Sequence, residues 1–318
     1  MRLLFAGTPV PALPALAALL TAGHEVLAVA TNPDAPSGRG HRLTPSPVAA
    51  EAVRLGLPLL QPARASEPWF VDAVEALAPD IAVVVAWGTL VPDALLGVPT
   101  YGWVNLHFSL LPAWRGAAPV QRAIMAGDWS TGITTFELVH DLDAGPYYRR
   151  QAVAIEPDET AGELLGRLAD VGATALVATI ADIATGTRPR PQPDGEVTLA
   201  PKVLSNDARI DWTRPARTIH DLVRAVTPAP GAWTTLGAER LKVGRTERLT
   251  AGPTSLPGDG VALAPGELLV TKRALLAGTG DGAIRLVAVQ APGKPMMDAA
   301  DWARGVRLGH GARLGEAP

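Results

Sequence analysis

Residues 81–86 read Ile-Ala-Val-Val-Val-Ala, with no polar position among them. A strand with one face in water alternates apolar and polar residues, whereas one that is apolar throughout must be covered on both faces. Short apolar runs of the same kind occur at Arg2–Ala6, Glu25–Thr31, Leu57–Gln61 and Trp103–His107. Helical segments lie between and after them. Thr8 and Pro9 are read as N-cap and first residue of a helix leading into Ala12–Ala22. Ser46 and Pro47 start another through Leu55, Ser66 caps one running to Leu77, and a fourth covers about 119–126. This alternation predicts an α/β fold, a Rossmann-like, mostly parallel sheet with helices on both faces. Ligands of such sheets bind at the carboxyl ends of the strands.

One of those strand ends carries chemistry. Residues 105–119 read Asn-Leu-His-Phe-Ser-Leu-Leu-Pro-Ala-Trp-Arg-Gly-Ala-Ala-Pro. On an extended strand Asn105, His107 and Ser109 point one way, and Val104, Leu106 and Phe108 point the other, into a core. A lone strand histidine is more often structural than catalytic. A hydrolase triad is disfavoured, because no Gly-x-Ser-x-Gly elbow surrounds Ser109. An amide beside an imidazole suits the donation of hydrogen bonds to a carbonyl oxygen that gains charge in a tetrahedral intermediate.

At 318 residues the chain has room for two domains. It has no cysteine, which excludes disulfides and thiolate nucleophiles, and its six histidines show no metal-ligand spacing, so no metal is expected. The apolar N-terminus has the look of a signal peptide, but Pro9, Pro11 and Pro14 interrupt it. No run is read as long enough to span a membrane. The net charge of −3 is uneven: residues 1–204 carry 13 Lys and Arg against 20 Asp and Glu, whereas 205–318 carry 15 against 11. A basic second half suits a polyanionic partner.

Gly132–Val139 and Tyr147–Ile155 read as later strands, and Glu159–Thr185 as a long helix. Residues 186–201 hold four prolines without apolar periodicity and read as a linker. A helix near 215–226 then precedes short strand-like runs at Trp233–Leu236, Leu241–Val243, Glu267–Thr271 and Ala283–Ala288, which predicts a small OB-like β-barrel. No Gly-x-Gly-x-x-Gly follows the first strand, so a dinucleotide site is not expected. The loop Thr31–Pro47 carries Arg39, His41 and Arg42 against one acid, Asp34. It reads either as an exposed surface loop or as a basic finger that closes on a phosphate-bearing ligand.

Taken together, these residues resemble the methionyl-tRNA formyltransferase family. The resemblance rests on Asn105-x-His107-x-Ser109-Leu110-Leu111-Pro112, Arg115-Gly116-Ala117-Ala118-Pro119, Leu142-Asp143-Ala144-Gly145, the loop Pro33–Gly40, Ala208-Arg209-Ile210-Asp211-Trp212 and Gly293-Lys294-Pro295-Met296. It implies transfer of a formyl group from 10-formyltetrahydrofolate, the co-substrate, to the α-amino group of methionyl initiator tRNA, by a cytoplasmic monomer with no metal and no membrane partner. It implies Asn105, His107 and Asp143 as catalytic residues, and Ser109, Leu110, Leu111 and Pro112 as the folate wall. It further implies Arg39, Arg42 and Lys202 as tRNA contacts. The expected division is a catalytic domain at 1–185, a linker at 186–204 and a tRNA-binding domain at 205–318. Phe108, Trp87, Pro146 and His41-Arg42 depart from the family pattern. A sugar-nucleotide formyltransferase, which also appends a small barrel, is the alternative, though it would not need the Arg39 finger.

Overall fold

The computed structural model describes residues 1–37, 42–249, 263–309 and 311–315. They form two compact units. One comprises Met1–Pro119, Ser130–Ala154 and Leu165–Pro201, the other Val120–Trp129, Ile155–Leu164 and Lys202–Pro318.

In the first unit the chain runs β1 (Arg2–Gly7), α1 (Leu13–Thr21), β2 (Glu25–Ala30), β3 (Ala35–Ser37), β4 (Arg42–Thr44), α2 (Pro47–Leu55), β5 (Leu59–Leu60), α3 (Pro68–Leu77), β6 (Ile81–Val85), α4 (Asp93–Leu96) and β7 (Trp103–His107). After α5 (Pro119–Ala126), which beyond Pro119 belongs to the second unit, come β8 (Ser130–Glu137), β9 (Tyr147–Ala154) and the long helix α6 (Ala161–Ala184), which is part of the first unit from Leu165 on. The sheet order is β5-β2-β1-β6-β7-β8-β9. The first five strands are parallel, and β8 and β9 add antiparallel. All five residues of β6 are buried, as its unbroken apolar run requires. Gly172 of α6 lets that helix settle on β7, since a Cβ there would lie 2.7 Å from a Leu106 methyl.

The helix starts correct two expectations. Thr8 does not cap α1: a 3-10 turn, Val10–Ala12, intervenes, and the Thr8 hydroxyl donates to the Trp87 carbonyl at 3.3 Å instead. Nor does Ser66 cap α3. Glu67 is its N-cap, because Pro68, whose fixed φ suits the first helical turn, starts the helix one residue later. Ser46 does cap α2, accepting from the Ala49 N–H at 3.0 Å, and Gly56 ends that helix at φ 69°. The expectation that no apolar run reaches membrane-spanning length also fails. Among the described residues α6 is long and apolar enough by length and composition, but half of that stretch is buried within the protein.

Part of the long basic loop folds as an antiparallel hairpin of β3 and β4. Arg39 and His41 lie outside the described residues, and of Arg42 only the backbone, in β4, is described. The proline-rich stretch is tied down along its length. Arg190 and Tyr147 exchange backbone hydrogen bonds at 2.7 and 2.8 Å, Arg115 N–H donates to Thr198 O at 2.9 Å, and Ala200 N–H donates to Arg115 O at 2.7 Å. Prolines forbid a continuous ladder there, so the pairing comes as isolated bridges, which leave no periodicity to read.

In the second unit α7 (Ala216–Ala225) precedes β10 (Ala232–Leu236), β11 (Glu239–Arg248), β12 (Leu268–Val270), β13 (Leu275–Thr279), β14 (Gly282–Gln290), β15 (Met297–Asp298) and α8 (Ala299–Val306). The strands form an antiparallel sheet in the order β10-β11-β14-β13-β12, with β15 on β14. Residues 312–315 bond to both edges: Leu268 N–H donates to Ala312 O and Gly315 N–H to Thr235 O, each at 2.9 Å. Both open edges are thereby joined through one segment, which makes the sheet barrel-like. Trp212, Ile219, Leu241, Leu275, Leu286 and Trp302 fill its core.

Candidate active site

β7 lies between β6 and β8, so its carboxyl end opens where the parallel part of the sheet gives way to the antiparallel part. Asn105 is partly exposed there, and its side chain hydrogen bonds to none of the described residues, leaving its amide uncommitted. His107, two residues on, is buried against the edge of Phe136, with ring centroids 6.4 Å apart. Its Nε2 is 2.8 Å from the Trp114 carbonyl oxygen. A carbonyl only accepts, so Nε2 carries a hydrogen. The other ring nitrogen, Nδ1, faces Asp143 Oδ2 at 3.8 Å, both side chains being over 90% buried at 7% and 9% exposure.

Asp143 comes from the loop between β8 and β9. The same Oδ2 accepts from the Gly116 N–H at 2.7 Å. Asp143 has φ 48° and Trp114 has φ 62°, and Ala86, at the end of β6, has φ 50°. Three of the five non-glycine residues with positive φ among the described residues thus lie at or beside this strand end. Such strain persists only where surrounding contacts over-determine it, and it concentrates at functional sites. Two glycines make the close approaches possible. A Cβ on Gly145 would lie 1.7 Å from Glu137 O, and one on Gly116, at φ 122°, 2.8 Å from Ala200 O.

The turn after β7 is built from its own polar groups. Ser109 Oγ donates to Ala113 O at 2.6 Å, Thr134 Oγ1 donates to Ser109 O at 2.7 Å, and Leu111 N–H donates to Thr134 Oγ1 at 3.2 Å. Ser109 and Leu111 have no exposed surface, and Phe108 is also buried. Of the expected folate wall, Ser109 thus has its hydroxyl engaged within the turn, and Leu111 and Pro112 are buried. Leu110 is partly exposed. Lys202 is exposed in the second unit.

Sequence reasoning passed over Gln192 and Thr198. Gln192 Nε2 donates to the carbonyls of Asp143 and Gly145 at 2.7 and 2.9 Å, and its Oε1 accepts from Arg115 Nη2 at 2.8 Å. Thr198 Oγ1 accepts from the Trp114 N–H at 2.8 Å. Both sit in the proline-rich stretch, where a single amide or hydroxyl carries no local signal. Among the described residues no group of three or more His, Asp and Glu could hold a metal ion.

The arrangement offers a free amide donor, an imidazole with one committed nitrogen, and a carboxylate facing the other nitrogen. It sits at the carboxyl end of a strand in a mostly parallel sheet. Residues 1–180 match the description formyl transferase, and residues 202–307 match formyl transferase, C-terminal domain. Fold, site and these matches define the class: the chain is a formyltransferase. Within that class it is 53% identical to a methionyl-tRNA formyltransferase of Nocardioides over 100% of this chain and 99% of the relative. It is 52% identical to that of Thermobifida fusca over 99% of this chain and 100% of the relative. The chain belongs to the methionyl-tRNA formyltransferase family. Solved structures share the fold. A methionyl-tRNA formyltransferase from Clostridium thermocellum gives a TM-score of 0.59 at 16% identity, covering 79% of this chain and 95% of that one. HypX from Aquifex aeolicus, solved in complex with tetrahydrofolic acid, gives 0.65 at 19% identity; the match covers 98% of this chain but only 48% of HypX.

Proposed function

We propose that this protein transfers the formyl group of 10-formyltetrahydrofolate to the α-amino group of methionyl initiator tRNA, as a monomer in the cytoplasm. The observation that carries this reading is the 52–53% identity, spanning both units, to curated methionyl-tRNA formyltransferases. The division of labour follows the expected domains, with chemistry in residues 1–185, a connection at 186–204 and tRNA contacts in 205–318, joined by Arg39, Arg42 and Lys202.

In this reading the lone pair of the neutral amine attacks the formyl carbon, and the formyl oxygen becomes an oxyanion. The uncommitted amide of Asn105 donates to that oxygen, a form of stabilisation worth about 10²–10³ in rate where one donor has been removed elsewhere. His107 spends Nε2–H on Trp114, so what it offers the site is its Nδ1 edge and, when protonated, its charge. Asp143 takes the amine proton, directly or through a water, and a proton passes to the departing folate nitrogen as its C–N bond breaks, which leaves Asp143 ionised again. Products are the N-formylated aminoacyl-tRNA and tetrahydrofolate. The partly exposed Leu110 bounds the donor, with Ser109, Leu111 and the buried Pro112 behind it.

The direct test incubates the protein with 10-formyltetrahydrofolate and methionyl initiator tRNA and measures N-formylation. Product is expected; no product, together with turnover of an amino-sugar nucleotide, would overturn the tRNA reading. Arg39→Ala is expected to raise KM for the tRNA well above its effect on KM for the folate. Equal changes in both would make the loop a wall of the donor pocket instead.

A further inference from the structure

Gln192 is the only residue of the proline-rich stretch among those described whose side chain touches both loops that build the site. Its amide orientation is fixed by chemistry. The carbonyls of Asp143 and Gly145 can only accept, and Arg115 can only donate, so the NH₂ must face the loop and the oxygen must face the guanidinium. Every polar atom of the side chain is thereby engaged. The two donated bonds fall on either side of Ala144, at the point where Asp143 is held at φ 48°. Aspartate enters that left-handed region more readily than most residues but at a cost, and the two bonds restrain it there. Gly145, which sits against the Glu137 carbonyl, restrains the far end of the same loop. Through Arg115, Gln192 also bears on the turn whose next residue, Gly116, donates its N–H to the Asp143 carboxylate.

We infer that Gln192 is a positioning residue for the formyl transfer: its amide clamps the Asp143–Gly145 backbone and the Arg115–Gly116 turn together, and so sets where the Asp143 carboxylate stands relative to His107. The inference rests on the reading of Asp143 as the group that takes the amine proton. A carboxylate displaced by about 1 Å from its working position costs on the order of 10²-fold in rate. Loss of the clamp therefore acts on the chemical step and leaves the donor pocket unaltered.

The test compares Gln192→Glu, which keeps an acceptor for Arg115 but cannot donate as a carboxylate, with Gln192→Met, which keeps the length and loses all three bonds. Asp143→Asn is run beside them. All are assayed for N-formylation with 10-formyltetrahydrofolate and methionyl initiator tRNA, and for cooperative thermal unfolding. The expected result is that both folded Gln192 variants lose about tenfold or more in kcat, with KM for the folate within about twofold of the parent. A folded variant with kcat within about twofold of the parent, or with its loss confined to KM, overturns the inference. So does failure of both variants to fold, which would make Gln192 a structural residue. If Asp143→Asn is inactive while the Gln192 variants are normal, only the positioning role fails. If Asp143→Asn keeps full activity, the reading of Asp143 itself fails, and the inference goes with it.

Discussion

At the scale of single residues, the site depends on atoms that are missing as much as on those present. Gly145 is needed for space: a Cβ would lie 1.7 Å from the Glu137 carbonyl, far inside any real contact. The expected outcome for Gly145→Ala is a loss of about 1–3 kcal/mol in denaturant unfolding, the usual cost of overpacking. Activity should also fall, because the displaced loop carries Asp143. An alanine variant of parental stability and rate would show that the loop yields without consequence. Gly116 has the second constraint of φ 122°, which L residues rarely adopt. His107 illustrates a different point. The residue type and its strand position are legible from Asn-x-His-x-Ser, but which nitrogen is free depends on Trp114 O, a backbone atom seven residues away whose position follows from the turn.

At the scale of elements, caps decide where helices start, and the sequence rules compete. Ser46 and Thr8 both precede a proline, yet only Ser46 caps. Thr8 follows the last residue of β1, and its hydroxyl turns to the Trp87 carbonyl after β6. Ser46 has a second partner, the Thr31 hydroxyl at 2.8 Å, which joins the start of α2 to the end of β2. Ser46→Ala should therefore cost about 1 kcal/mol, within the 0.5–2 kcal/mol range for lost caps, read from the urea midpoint. An unchanged midpoint would mean the cap contributes nothing here. β13, Leu-Leu-Ala-Gly-Thr, is as fully buried as β6 but lacks its run of β-branched residues and carries a glycine, so it shows neither alternation nor strand propensity. The strands with alternating or uniformly β-branched patterns were legible.

At the scale of the whole molecule, stability responds to pH through buried groups. His220, on α7, is buried, with Nδ1 3.0 Å from Thr246 Oγ1 and Nε2 3.3 Å from Pro157 O. Burial holds its pKa below the ordinary histidine value; the Pro157 carbonyl and the carboxylates Asp158 and Asp221 oppose this, and Arg224 reinforces it. Below about pH 6.5 the unfolded chain binds a proton that the folded chain resists, so stability falls as pH drops from about 6.5 toward the lowered folded value. His140 has the opposite sign: its bond to Asp93 raises its pKa, but it is fully exposed and so weakly coupled to folding. His220→Gln should flatten the fall in thermal midpoint between about pH 7 and 5. An unchanged slope would assign it to other groups.

The sequence alone determined the alternation of strands and helices and the second antiparallel domain, and its resemblance to a family singled out Asn105, His107 and Asp143 as the proposed catalytic set. Each is written in local patterning or in a short motif whose spacing survives without the fold. Tertiary structure alone decided that Asp143 Oδ2 meets Gly116 N–H and His107 Nδ1, that Ser109 is spent inside its own turn, and that an amide from a proline-rich stretch clamps the loop. Those contacts join residues 27 to 49 positions apart or depend on the path of a turn, and hydrogen-bond geometry over such separations is fixed by packing, which no local pattern encodes.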